Sequence, residues 1–398
     1  MQPAFQLLVA CLRAHGARRV FGAPLGDLQR IDVADASLAG MLADADGRLG
    51  GIGVAFDAAT RHLRLSSLLD GPTDVTDVLD SPRQVIRIVE TAARTVARTH
   101  ATRVIALDLA LDAPVASNAS PIGARDYVPY AGAVVPRQGR TAMLVGPYVI
   151  RRGAVGGLRD FVAAANVGVA NTWGAKGVFA WDSPNHMGTV GLQAADLELV
   201  FEGIDTVIAT GLDGAETRPP LPDDADVVPV DPQQLASLAR HAAPAADIAA
   251  NPLYRRLAEV AQTGYRDPRY PYHPARVVAL LRDRVPAGGV VTADPGRVGF
   301  WVARTFPTSE LGGVVVPATG GAGAGAALAL ACALRGRPAI AAVDVSMRDH
   351  GSTDEIVRLA AEIGHPIELM GWGGDDLPID WSPTDDLAAV AGEVVAWS

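Results

Sequence analysis

Apolar positions along this chain follow two periods in turn, one helical and one nearly continuous. At the start, "FQLLVACLRAHG" repeats apolar residues at helical spacing as far as Gly16, and "RRVFGAP" then reads as a short strand and turn. From Asp32 to Gly51 the pattern is weak. It recovers at Ser81 and Pro82, a cap and a first-turn residue for a long amphipathic helix, which leads to a strand from Val104 to Leu109. A second stretch alternates more regularly: "TAMLVGPYVI" is a buried strand running into a Gly-Pro turn, "GGLRDFVAAAN" a helix, and "VGVANT" a strand. "AADLELVFEG" is the next helix and "DTVIATGLD" a strand ending in glycine. After the linker "APAADIAANPLYRR", the helix "HPARVVALLRDRV" precedes "GGVVTADPG", a strand with an acidic end. "GGAGAGAALALACAL" is a Gly-rich turn entering a helix, "AIAAVDVS" a second strand, "STDEIVRLAAEIG" a capped helix and "PIELMGWGG" a third strand.

Strands alternating with helices predict an α/β fold of mainly parallel sheets, divided into three Rossmann-like domains at 1–136, 137–245 and 246–398. The length of 398 residues agrees with several cores, and 49% apolar against 20% charged residues separates the chain from disordered sequences. Its net charge of −10 and scattered Lys and Arg give no basic face, so nucleic acid is not an expected partner. No apolar run reaches the roughly 18 to 20 residues of a membrane span, and the N-terminal apolar patch reads as an amphipathic helix, not a leader. Cys11 and Cys332 lie in apolar helical runs as buried thiols. A soluble, cytoplasmic protein is expected.

The chemistry concentrates in a few runs. "RPAIAAVDVSMRDH" delivers Asp344 at the end of an apolar strand, followed by Val345 and Ser346, as a strand would present a metal ligand. "NTWGAKGVFAWDSPNHMGTVGLQAADLELVFEGIDTVIATG" holds a strand ending in Thr172, the turn Gly174 to Gly177, and Pro184, Gly188, Gly191 and Gly211 in order. This run resembles the middle domain of thiamine-diphosphate enzymes of the acetolactate synthase and benzoylformate decarboxylase type. "LLVACLRAHGARRVFGAP" is similar to the start of that family's pyrimidine-binding domain. "HPARVVALLRDRV" and the "D.G....W" run at Asp294, Gly296 and Trp301 are similar to its diphosphate-binding domain. The resemblance implies the family's three-domain architecture with a shortened first domain, assembled as a homodimer or homotetramer.

It also implies thiamine diphosphate held through Mg2+. The positions that would line that site are Asp294, Gly296, Gly320, Gly321, Gly323, Asp344, Val345, Ser346 and Gly373, with Asp344 and, after a small shift, Asp375 on the metal. The sequence departs from the family at these same places. "VDVS" replaces "GDGS", Gly373 and Gly374 replace the metal-binding asparagine pair, and Gly320 replaces the apolar prop that bends the cofactor. No "HE..AA..A.G" run supplies the activating glutamate; Asp44 and Asp46 are the only acids in the nearest echo of the pattern. His186 and His350 sit in loops where a polar group faces a cleft or only solvent. Two functions stay open. One is a thiamine-diphosphate-dependent C–C bond lyase or transferase acting on 2-keto acids or aldehydes, with a partner chain supplying the glutamate. The other is a non-catalytic binding or scaffold homologue acting through a protein partner.

Overall fold

The computed structural model describes residues 2–66, 74–99, 102–115, 139–213, 216, 225–242, 244, 252–317, 321–348 and 352–395. The chain forms two compact units, Met1–Tyr127 and Val128–Ser398.

The first unit is built on a six-stranded sheet. Its order is Gln29–Ile31, Arg19–Gly22, Gly53–Asp57, His62–Ser66, Arg103–Leu107 and Asp77–Leu79. All pairings are parallel except those of His62–Ser66, which runs antiparallel to both neighbours. That strand departs from the parallel pattern read from the sequence, and its cause is local. Gly53–Asp57 and His62–Ser66 are joined by a four-residue turn that permits only a hairpin, with Arg61 in the left-handed region at φ 59°.

The weakly patterned stretch is a helix, Ala36–Arg48, whose first turn is capped by Asp35 accepting from the Leu38 N–H at 2.7 Å. Its pattern is weak because the buried face carries charges. Asp44 is 2% exposed and pairs with Arg64 at 2.8 Å, and Asp46 pairs with Arg19 at 2.7 Å. Two such pairs inside a core defeat any reading that assigns charged positions to solvent. The helix also lies so close to the sheet that a Cβ at Gly53 would stand 1.6 Å from the Ala43 carbonyl oxygen. Helices Ala4–Ala14 and Val85–Thr99 pack with sheet residues such as Val54, Leu63 and Ile105 in a separate cluster that holds no residue of Ala36–Arg48. Ser81, before the 3-10 turn Pro82–Gln84 that leads into the second of them, makes no side-chain cap bond.

The second unit contains two wholly parallel sheets. The five-stranded sheet has the order His186–Val190, Gly168–Thr172, Thr141–Val145, Thr206–Thr210 and Asp226–Val230. The four-stranded sheet has the order Val314–Val315, Val290–Ala293, Ala339–Asp344 and Glu368–Trp372. Their central strands are buried along their whole length, as expected of strands covered on both faces. Among the described residues no helix is long and apolar enough to cross a membrane.

One ion pair ties these two sheets together. Arg304, on the helix Arg297–Thr305, donates to both carboxylate oxygens of Asp196 at 2.8 and 2.7 Å and to the Thr189 carbonyl at 2.8 Å. The arginine and aspartate side chains are 1% and 0% exposed, and Asp196 also accepts from the N–H groups of Leu192 and Gln193. Removing one partner strands the other charge out of reach of water. We therefore expect Arg304→Met to lower unfolding stability by about 3 to 5 kcal/mol. Arg304→Met combined with Asp196→Asn is expected to cost less, because asparagine keeps the acceptor and sheds the orphaned charge. Denaturant titration of both variants checks this; equal losses would refute it.

Candidate cofactor site at the strand ends

Of the sequence-predicted site residues, Asp294, Gly296, Asp344, Val345 and Ser346 lie at the C-terminal ends of the strands Val290–Ala293 and Ala339–Asp344, where ligands bind in open parallel sheets. Asp294 follows the first strand. It is 2% exposed, and its Oδ1 accepts from the Gly325 N–H at 2.9 Å, in the first turn of the helix Ala324–Ala333. That helix approaches the strand closely: a Cβ at Gly325 would lie 2.8 Å from the Asp294 nitrogen, so only glycine fits. Thr292 fixes the approach by donating from its Oγ1 to the Gly325 carbonyl at 2.7 Å. A helix N-terminus is where an external anion would be held. Here one of its N–H groups already has the chain's own carboxylate. Burial pushes the pKa of Asp294 up to about 6, with neighbouring Asp344 acting in the same direction and backbone N–H groups against it.

Asp344 ends the neighbouring strand with both oxygens engaged. Oδ1 accepts from the Ser346 N–H at 3.0 Å and from the Ser346 hydroxyl, and Oδ2 accepts from Arg297 Nε at 3.0 Å. Arg297 opens the helix that Arg304 closes, directly after Gly296, an N-cap with φ 88°. Its guanidinium lies 4.4 Å from the centroid of the Trp381 ring, which stacks in turn on Trp372, the residue paired with Asp344 across the sheet. The arginine is therefore held in place by stacking as well as by charge.

Val345 closes the remaining space. A Cβ at Gly371 would stand 2.7 Å from Val345 Cγ2, and one at Gly374 would stand 3.2 Å from Cγ1. The valine side chain thus fills the gap between the Asp344 turn and the glycine turn that begins at Gly373, φ 84°. Gly373 and Gly374 carry no side-chain oxygen, and Asp375 is exposed on that turn.

The remaining sequence-predicted positions are spread out. Gly323 is the N-cap of the helix Ala324–Ala333 with φ 93°, and its Cβ position faces the backbone of Ser352 and Thr353 at 3.3 Å. Gly321 is exposed with open space around it. Gly320 and His350 lie outside the described residues. Sequence reasoning missed Arg297. It sits inside the "D.G....W" run, yet nothing in that run ties it to a carboxylate 47 positions later.

A magnesium-bridged diphosphate needs several hard oxygen ligands on the cation and open N–H groups for the anion. In this chain the carboxylate of Asp344 is shared between Ser346 and an arginine, and the facing turn is packed with valine. Among the described residues no three His, Cys, Asp or Glu side chains are grouped as metal ligands would be. The residues present do not fit that group.

Comparison with known proteins places this geometry in context. Residues 134–253 match the family model of the thiamine pyrophosphate enzyme central domain. No curated protein matches the chain. Among solved structures, it is similar to a Mycobacterium smegmatis protein described as a candidate thiamin diphosphate-dependent enzyme. The TM-score is 0.63 at 15% identity, covering 98% of this chain and 93% of the other. At that identity the likeness shows the fold alone, α/β with several mainly parallel sheets.

The raised pKa of Asp294 has a stability consequence whose sign is fixed. The folded chain holds this proton up to about pH 6, whereas the unfolded chain releases it near the ordinary 3.8. Between those values the folded state binds more protons, so this group's contribution to stability falls as pH rises. Asp294→Asn keeps an acceptor for the Gly325 N–H without the charge. Its unfolding free energy relative to the wild type is expected to grow by about 2 to 3 kcal/mol from pH 4 to pH 6.5. Urea denaturation across that range tests this; parallel pH profiles would refute it.

Proposed function

We propose that this chain derives from the thiamin diphosphate-dependent enzymes of the acetolactate synthase type, the 2-keto acid decarboxylases and carboligases, and no longer carries their magnesium-dependent catalysis. It acts as a binding or scaffold homologue through a protein partner. The observation that carries this reading is the Arg297–Asp344 ion pair at 3.0 Å, with Val345 packed against the facing turn. A guanidinium carries a cation's charge to the carboxylate, but unlike Mg2+ it cannot take the carboxylate and a diphosphate together as oxygen ligands of one coordination sphere. The first unit supports the same reading. Asp44 and Asp46, the acids nearest to the expected glutamate, are both committed to buried ion pairs.

The test is a calorimetric titration of the purified chain with thiamin diphosphate, with and without Mg2+. We expect no magnesium-dependent saturation and no turnover of pyruvate or benzoylformate. Magnesium-dependent binding at micromolar strength would overturn the reading and favour an enzyme completed by a partner chain that supplies the glutamate.

A further inference from the structure

A cavity of about 750 Å³, lined by none of the strand-end residues just described, has a chemistry of its own. One wall is the edge strand His186–Val190, and the opposite walls are the helices Pro252–Tyr265, Pro274–Arg284 and Arg297–Thr305. Exposure grades steeply across it. Met187 and Leu253 are 1% exposed and Lys176 is 7% exposed, whereas Trp181 at the rim is 40% exposed.

Lys176 is the unusual member. It follows the 3-10 turn Trp173–Ala175, and its Nζ donates to the Thr189 hydroxyl at 3.4 Å. Ammonium groups are almost never this buried without a carboxylate partner. No acidic side chain lines the cavity among the described residues, and the other charged groups there are Arg266, Arg282 and Arg304. Arg304 is balanced by Asp196, which accepts from it with both carboxylate oxygens and is not among the residues lining the cavity. Arg266 and Arg282 are exposed and stand at the mouth. The cavity therefore has a polar cationic end, an apolar flank formed by Leu253, Leu257 and Phe306, and a basic entrance.

We propose that this cavity binds a small organic oxyanion, its carboxylate or phosphate head on Lys176 Nζ and the Thr189 hydroxyl and its apolar body along Leu257 and Phe306. The volume suits such a ligand, since sites for small molecules run from roughly 300 to 1,000 Å³. An anion there supplies the counter-charge that no described side chain lining the cavity gives Lys176. The electrostatics of the cavity agree: burial, helped by Arg304, lowers the pKa of Lys176 to about 7, and burial, helped by Lys176, lowers that of His186 to about 4. His186 is then neutral near pH 7, Lys176 is the group that changes charge, and an anion bound beside it draws the proton on. This site stands on its own observations and does not depend on what the strand-end site retains.

The test uses the whole chain and three probes: benzoate, phenyl phosphate and the uncharged benzyl alcohol, each titrated by calorimetry at pH 6.5. We expect at least one anion to saturate with millimolar or tighter affinity and benzyl alcohol to bind at least tenfold more weakly. Whichever anion is tighter identifies the head group. The bound anion's affinity is expected to fall at least tenfold between pH 6.5 and pH 9, as Lys176 loses its proton, and to fall at least tenfold in Lys176→Met. Failure of both anions to saturate by 50 mM, or affinity indifferent to pH, would overturn the proposal. The pH series needs only the wild-type chain, so a variant that misfolds leaves the test decisive.

Discussion

Charge at the ends of two parallel strands is balanced by the chain itself, and the organisation of the candidate site depends on it. A strand end that delivers Asp344 into a half-closed space needs a cation, and a helix N-terminus beside it attracts an anion. Arg297 serves the first need and Asp294 the second. Both are intramolecular, both belong to the short segment between one strand and the next helix, and together they leave little unbalanced charge for a cofactor to satisfy. The raised pKa of Asp294 is the trace of that arrangement, a carboxylate kept at a helix end in spite of its burial.

The helix Arg297–Thr305 links this site to the rest of its unit. Its first residue closes the strand end, its buried Trp301 donates to Thr384 at 3.0 Å, and Arg304 in its last turn reaches Asp196, at the start of the helix Asp196–Val200 that follows the edge strand of the other sheet. A single rigid element thus fixes three separate polar contacts. The same Arg304 stands beside Lys176 and takes both oxygens of Asp196, and among the described residues no acidic side chain lines the cavity to balance the ammonium.

Much of the architecture was legible where burial and periodicity agree. The strands Thr141–Val145 and Thr206–Thr210 and the helices Val155–Ala165 and Pro274–Arg284 appear where apolar runs and turn residues put them. Legibility failed where charge is buried. The helix Ala36–Arg48 hides Asp44 and Asp46 behind arginines from the sheet, and no periodic pattern reports a charged residue whose partner lies 20 or 27 positions away. The hairpin strand His62–Ser66 was missed because the mainly parallel pattern elsewhere suggested no reversal. Within the site, the substitutions at Val345 and Gly373 were visible as departures, but a letter does not say what fills the space it vacates.

The sequence by itself determined the alternation of strand and helix, the acid at the end of the Asp344 strand, and the absence of the residues that would normally assist it, because these are properties of local order along the chain. Only the tertiary structure decided that Arg297 answers Asp344, that Val345 packs against Gly371 and Gly374, and that Lys176 is buried in a cavity lined, among the described residues, by no acid. Each of these depends on groups far apart in sequence arriving within a few ångströms. Electrostatic balance in a low-dielectric interior is set by distance in space, which one-dimensional order leaves open.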